Sequence, residues 1–168
     1  TVELLAQAAQ EAKVILQVML EVETGDKRCG AAPEAVPALA QQVSACAGLR
    51  LLGLETFGGS VYHCESMEEE QTRGPQVAQL MLRVKVEVEA LGIPVQEVSV
   101  GGSPAMELMA RQPGVTELRP GVYVFNDAAT VSRQGARLED CAATVLTTVI
   151  SRPAARRMVV DGGGKTFS

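Results

Sequence analysis

The chain has 168 residues and a mass of 17.7 kDa, the size of one ordinary domain, and its 46% apolar and 21% charged residues exclude a disordered chain and a coiled coil. Its net charge is −5, its Lys and Arg are scattered, and it has only three Phe and two Tyr, which argues against a nucleic-acid groove of basic stripe and stacking rings. No stretch reaches the roughly 18 uninterrupted apolar residues of a membrane span; residues 14–22 come nearest and are broken by Gln17 and Glu21, so a soluble chain is expected.

In chain order, residues 1–13 are rich in Ala, Gln and Glu with apolar positions on one side, a helix pattern. Residues 14–22 read as a strand that runs into the turn-rich segment 24–30. Helical spacing returns over 33–47 with Gly48 as the stop, followed by an apolar strand over 49–56 that ends at Gly58-Gly59. The acidic stretch 65–70 reads as a polar connection, and Pro75 opens a third helix that Gly92 closes. A strand over 95–100 leads into Gly101-Gly102-Ser103-Pro104, a short helix over 105–111, and strands over 115–118 and 122–125.

The predicted order is αβαβαβαββ. Strands alternating with helices imply βαβ units around a parallel sheet, because a parallel pair needs a crossover and a helix is the usual one. Residues 141–151 and 157–160 are β-branched and have no helix between them, so the chain is expected to leave the α/β part near Asn126 and enter an antiparallel element. About five α/β strands, where a closed barrel needs eight, suggest either a small open sheet or a piece of a larger barrel.

Cys29, Cys46, Cys64 and Cys141 are too widely spaced for a paired zinc motif and read as reduced cytosolic thiols. His63 is the single histidine, so the chain has no two-His metal site of its own. The segment Gly162-Gly163-Gly164-Lys165-Thr166 suggests a phosphate loop, but the position that needs the first glycine holds Val159.

Three strand ends carry more chemistry. Gly101-Gly102-Ser103-Pro104 follows an apolar strand, where main-chain N–H groups and the Ser103 hydroxyl would face an anion; the alternative is an ordinary turn with an N-cap serine. Glu117 and Arg119 stand two apart on a strand and share a face, ahead of the Gly121 turn; a surface ion pair is the alternative. The first strand likewise ends in Glu21, Glu23, Gly25 and Arg28, which would orient a cofactor or simply solvate a loop.

Residues 21–30, 53–59, 98–104, 117–127 and 159–168 together resemble the fold-type III pyridoxal-phosphate enzymes, and most closely the D-threonine aldolase and D-serine dehydratase group, which is related to the alanine racemase N-terminal barrel. The most specific pieces are Val100-Gly101-Gly102-Ser103-Pro104 and Glu117-Leu118-Arg119-Pro120-Gly121-Val122 with its continuation to Asp127. The resemblance implies the later half of a (β/α)8 barrel over 1–126 that binds pyridoxal 5'-phosphate, and the crossover and first strands of a C-terminal β-domain over 127–168.

By position, the resemblance implies that Gly102, Ser103, Gly121 and Val122 donate hydrogen bonds to the cofactor phosphate, with Gly101 in the same turn. Arg28 would lie near the phenolic oxygen of the pyridoxal ring, and Phe57 would pack near the cofactor. Arg119 matches the racemase arginine that faces the pyridine nitrogen, with Glu117 on the same face as a rival. An arginine there leaves the nitrogen unprotonated and a carboxylate protonates it.

The implied reaction is retro-aldol cleavage of a D-β-hydroxy amino acid to glycine and an aldehyde, assisted by a divalent metal (Mn, Mg or Zn). Dehydration of D-serine, racemisation and a non-catalytic cofactor-binding module are the alternatives. The family's cofactor-bonding lysine lies on the first barrel strand, and none of Lys13, Lys27, Lys85 or Lys165 matches its motif. The metal ligands lie further along the family's chain than Ser168. The chain is therefore expected to be an internal fragment of a cytoplasmic enzyme, inactive alone, without nucleic-acid or membrane partners. Its open sheet edge favours association, a homodimer included.

Overall fold

A computed structural model of the chain describes residues 1–133 and 135–167. Ser168, the end of the last segment carrying the resemblance, lies outside the described residues. The chain divides into two compact units, Thr1–Tyr123 and the part from Val124 onward.

The first unit is an α/β layer. Helix α1 (Val2–Glu11) precedes β1 (Leu16–Glu21), α2 (Val36–Ala45) leads to β2 (Leu49–Thr56), α3 (Met67–Glu89) to β3 (Glu97–Gly101), and α4 (Met106–Ala110) to β4 (Glu117–Arg119). The strands form a four-stranded sheet in the order β1-β2-β3-β4, every pair parallel. Sequential order follows when each helical crossover returns the chain one strand further along.

The two faces of this sheet differ, and strand periodicity sets the difference. Leu54, Val98 and Val100 turn to one side and join Val36, Ala40, Val43, Ala78, Met81, Val84 and Val88 of the helices in a fully buried core. On the other side Glu21 is in register with Glu55, Glu55 with Ser99, and Ser99 with Glu117. A row of polar side chains thus crosses all four strands, and Arg119 stands one step beyond it.

Three expectations need correction. The helix expected to start at Pro75 begins two turns earlier, because Ser66 caps it: the Ser66 hydroxyl accepts the Glu69 N–H at 3.1 Å while the Glu69 carboxylate accepts the Glu65 N–H at 3.1 Å. Pro75 lies inside α3, where the buried stripe Gly74, Val77, Ala78 and Met81 holds the helix through the missing donor. Second, residues 122–125 are not a strand. Pro120 has no N–H for a ladder, so β4 stops at Arg119 and Val122–Val124 form a 3-10 turn. Third, the sheet has four strands rather than about five.

In the second unit a short helix, α5 (Ala128–Ser132), is capped by Asp127, which accepts the Thr130 N–H at 2.7 Å. Strands β5 (Val149–Ala154) and β6 (Arg157–Val160) form an antiparallel hairpin, as the β-branched composition suggests, although residues 141–148 ahead of it are not strand. Among the described residues no helix is long and apolar enough to cross a membrane.

Candidate functional site

The ends of all four parallel strands meet, largely through side chains named in the sequence analysis. After β1 the chain doubles back: Val22 bridges Ala31, the Glu23 N–H donates to the Ala31 carbonyl at 2.8 Å, and Gly30 at φ +98° lies so close to Glu23 that a Cβ would come within 2.8 Å of its nitrogen. The Glu23 carboxylate accepts the Gly25 N–H at 2.6 Å and the Lys27 N–H at 2.9 Å. The Lys27 N–H above all, with help from Gly25, holds that carboxyl below its ordinary pKa. The loop so tied carries Arg28, whose guanidinium lies over the Phe57 ring at 4.8 Å from the centroid.

Phe57 follows β2 and stacks on Tyr62, the ring centroids 5.7 Å apart and the planes 3° from parallel. Thr56 anchors the start of this segment through a 2.8 Å hydrogen bond with the Thr24 hydroxyl. The Tyr62 phenol oxygen accepts the Ser103 N–H at 3.1 Å, joining the segment after β2 to the turn after β3. Ser60, between them, is 5% exposed, and its hydroxyl has no partner among the described residues.

Gly101 and Gly102 let that turn come close. A Cβ on Gly101 would stand 2.9 Å from the Phe57 carbonyl oxygen, and Gly102 adopts φ +90° with the Tyr62 ring 3.4 Å from where its Cβ would be. Ser103 does not cap α4, whose first flanking residue is Ala105 without a side-chain cap. Its hydroxyl oxygen instead accepts the Gly121 and Val122 N–H groups, both at 3.2 Å, so the turns after β3 and β4 are joined at one serine. The path Arg28, Phe57, Tyr62, Ser103, Gly121/Val122 therefore spans the sheet.

Arg119 sits beside this path on the polar sheet face, 38% exposed. Its Nε donates to the Ser99 hydroxyl at 2.7 Å and its Nη2 to the Thr56 carbonyl at 2.9 Å, with the Glu55 carboxylate 3.2 Å away. Because arginine only donates, Ser99 must accept from Arg119 and give its own proton to Glu117, with which it is hydrogen-bonded. Glu117 and Arg119, 3.9 Å apart, are thus linked through one buried serine.

The residues that the resemblance places around the cofactor, Arg28, Phe57, Gly101, Gly102, Ser103, Arg119, Gly121 and Val122, lie at these strand ends. Tyr62 and Ser99 were missed. Tyr62 belongs to no recognisable motif, and Ser99 reads as an ordinary polar residue in an apolar strand until the register places it between Glu55 and Glu117.

A family model described as alanine racemase, N-terminal domain, matches residues 1–129. The chain belongs to that family. It is 32% identical to D-threonine aldolase of Arthrobacter sp. over 164 residues, which is 96% of this chain and 43% of that protein. Among solved structures, D-threo-3-hydroxyaspartate dehydratase from Delftia sp. HT23 superposes with a TM-score of 0.80 at 31% identity, over 89% of this chain and 40% of the other. D-threonine aldolase from Filomicrobium marinum gives 0.79 at 25% identity, over 98% and 46%. The chain spans less than half the length of the curated relatives it matches.

Proposed function

We propose that the strand ends of this chain form the phosphate-binding half of a pyridoxal 5'-phosphate site, in a lyase that cleaves D-β-hydroxy amino acids to glycine and an aldehyde. The observation that carries the reading is the convergence of the Gly121 and Val122 N–H groups on the Ser103 hydroxyl. Amides that meet on one neutral oxygen are already aimed at a point, and a phosphate oxygen is the stronger acceptor for them.

The residues fit such a group in two respects. Nothing stands within 4 Å of where a Gly121 Cβ would be, so the turn after β4 is open on that side. The stacked pair Phe57 and Tyr62, with Arg28 over the former, offers a flat apolar wall and a cation beside the donors, suited to an anionic aromatic ring. When bound, the cofactor supplies an electron sink for the carbon that loses its bond. Ser103, Gly121 and Val122 would hold its phosphate, with Gly101 and Gly102 allowing the turn to close in, and Arg28 and Phe57 would set the position of its ring.

Arg119 would face the ring nitrogen. Held by Ser99, the Thr56 carbonyl and Glu55, it is a fixed donor that cannot surrender a proton, and beside such a donor a ring nitrogen would remain unprotonated. The divalent metal of the expected reaction has no site here: among the described residues no three of His, Cys, Asp and Glu gather to hold one. We assign the metal no step through these residues, although a variant of the Delftia dehydratase has been solved in a metal-free form.

In this reading the four-stranded sheet is the later half of a (β/α)8 barrel, and the part after residue 126 begins a β-domain. Dehydration of a 3-hydroxy amino acid is the second reading, favoured by the structural match to the Delftia enzyme at 31% identity, against 25% for the solved Filomicrobium aldolase. Titration with pyridoxal phosphate and with pyridoxal, followed by cofactor absorbance, tests the site. We expect the phosphorylated form to bind more tightly and Ser103→Ala to erase most of the difference. Equal binding of both by the unaltered protein refutes the phosphate seat. In the complete enzyme, D-threonine giving glycine and acetaldehyde supports the aldol reading, and a 2-oxo acid with ammonia supports dehydration.

A further inference from the structure

We infer that Tyr62 is a positioning residue of the phosphate seat, setting the turn after β3 through its phenol oxygen; this rests on the reading of that seat given above. The seat depends on where Ser103 stands, because its hydroxyl is the common acceptor for the Gly121 and Val122 amides at 3.2 Å. The Ser103 main chain is in turn fixed by the 3.1 Å bond from its own N–H to the Tyr62 oxygen. Gly102 at φ +90° leaves the turn with backbone freedom that an ordinary residue would not give it, so a side chain from elsewhere must remove that freedom.

Tyr62 suits that task because its ring is itself clamped. It stacks on Phe57 with the planes 3° from parallel, and Phe57 carries the Arg28 guanidinium on its ring. The edge of the Tyr62 ring also lies against Gly102, where a Cβ would come within 3.4 Å of Cε2. One rigid ring thus sets both the glycine and the amide that follows it. A second consequence is chemical: with the Ser103 N–H committed to Tyr62, the donor that Ser103 itself has left for a dianion is its hydroxyl.

Tyr62→Phe keeps the stack and removes only the oxygen. In the full chain we expect this change to weaken binding of pyridoxal phosphate by about three- to tenfold, the range of one hydrogen bond, and to leave pyridoxal binding within about twofold. A purely structural role would lower both affinities alike, and that result, or no change in either, overturns the inference. A readout without cofactor is the exchange rate of the Ser103 amide proton, which should rise in Tyr62→Phe; an unchanged rate also overturns it. If the unaltered chain shows no preference for the phosphorylated form, the seat itself is refuted and this inference falls with it, a failure visible before any substitution is made.

Discussion

Glu23 and Cys29 show how single residues are tuned in the loop that carries Arg28. The Glu23 carboxyl is held below its ordinary value by main-chain N–H groups, so it stabilises the fold at pH values above the unfolded carboxylate range, and that contribution is lost as pH falls through the lowered value. Glu23→Gln should therefore lower the melting temperature at pH 7, and the gap to the unaltered protein should close as the pH falls below the ordinary carboxylate range. A gap independent of pH would contradict this. Cys29 is exposed, yet its thiol donates to the Glu21 carboxylate at 3.0 Å, and that bond raises its pKa. We expect Glu21→Gln to speed alkylation of Cys29 at pH 8, because the thiolate is the nucleophile; an unchanged rate would show that the bond does not persist in solution. At this scale the sequence was a partial guide. Gly101 and Gly102 mark close approaches through their residue type alone, whereas Tyr62 acts through a contact 41 positions along the chain that no local pattern encodes.

Elements were legible where one physical signal dominated. Strand β2 reads directly from its apolar run and glycine stop, and its observed limits Leu49–Thr56 match the expectation. The start of α3 was misread because Pro75 is a strong local signal for a first turn, while the Ser66-Met67-Glu68-Glu69 capping pattern lies in a segment whose acidity suggests a connection. Ser66→Ala should cost about 1 kcal/mol in denaturant unfolding; no loss would mean that the first two turns contribute nothing. Gly53 is a sharper case. It stands at the β1–β2 register shift, and a Cβ there would meet the Glu97 carbonyl oxygen at 2.1 Å, a backbone atom that cannot step aside. Gly53→Ala should cost at least about 2 kcal/mol, against about 1 kcal/mol for Gly92→Ala, where only the left-handed φ of +77° is strained and nothing lies within 4 Å. Equal losses would contradict the close approach of β2 and β3.

Across the whole molecule, stability should follow how each strand is paired and covered. Strands β2 and β3 have a partner on both sides, β1 and β4 on one, and the β5 residues are all exposed. A two-stranded hairpin alone is marginally stable. Hydrogen exchange should therefore be slowest in β2 and β3 and fastest in β5 and β6. Helix and strand alternation made the parallel sheet legible from the sequence, because each crossover has its own period. What alternation cannot encode is which side chains from separate strands meet, since that depends on register: Ser99 faces Glu117 only because Ser99 pairs with that residue across β3 and β4.

The central claim is that the Ser103 hydroxyl after β3 and the Gly121 and Val122 amides after β4 share one anion. Amide nitrogen and proton shifts during titration with pyridoxal phosphate test it most directly. The account predicts that Gly121 and Val122 move first and furthest, with Ser103 beside them, as their acceptor changes from the serine hydroxyl to phosphate. Large shifts confined to the Gly162-Gly163-Gly164 segment, with those three residues still, would contradict it.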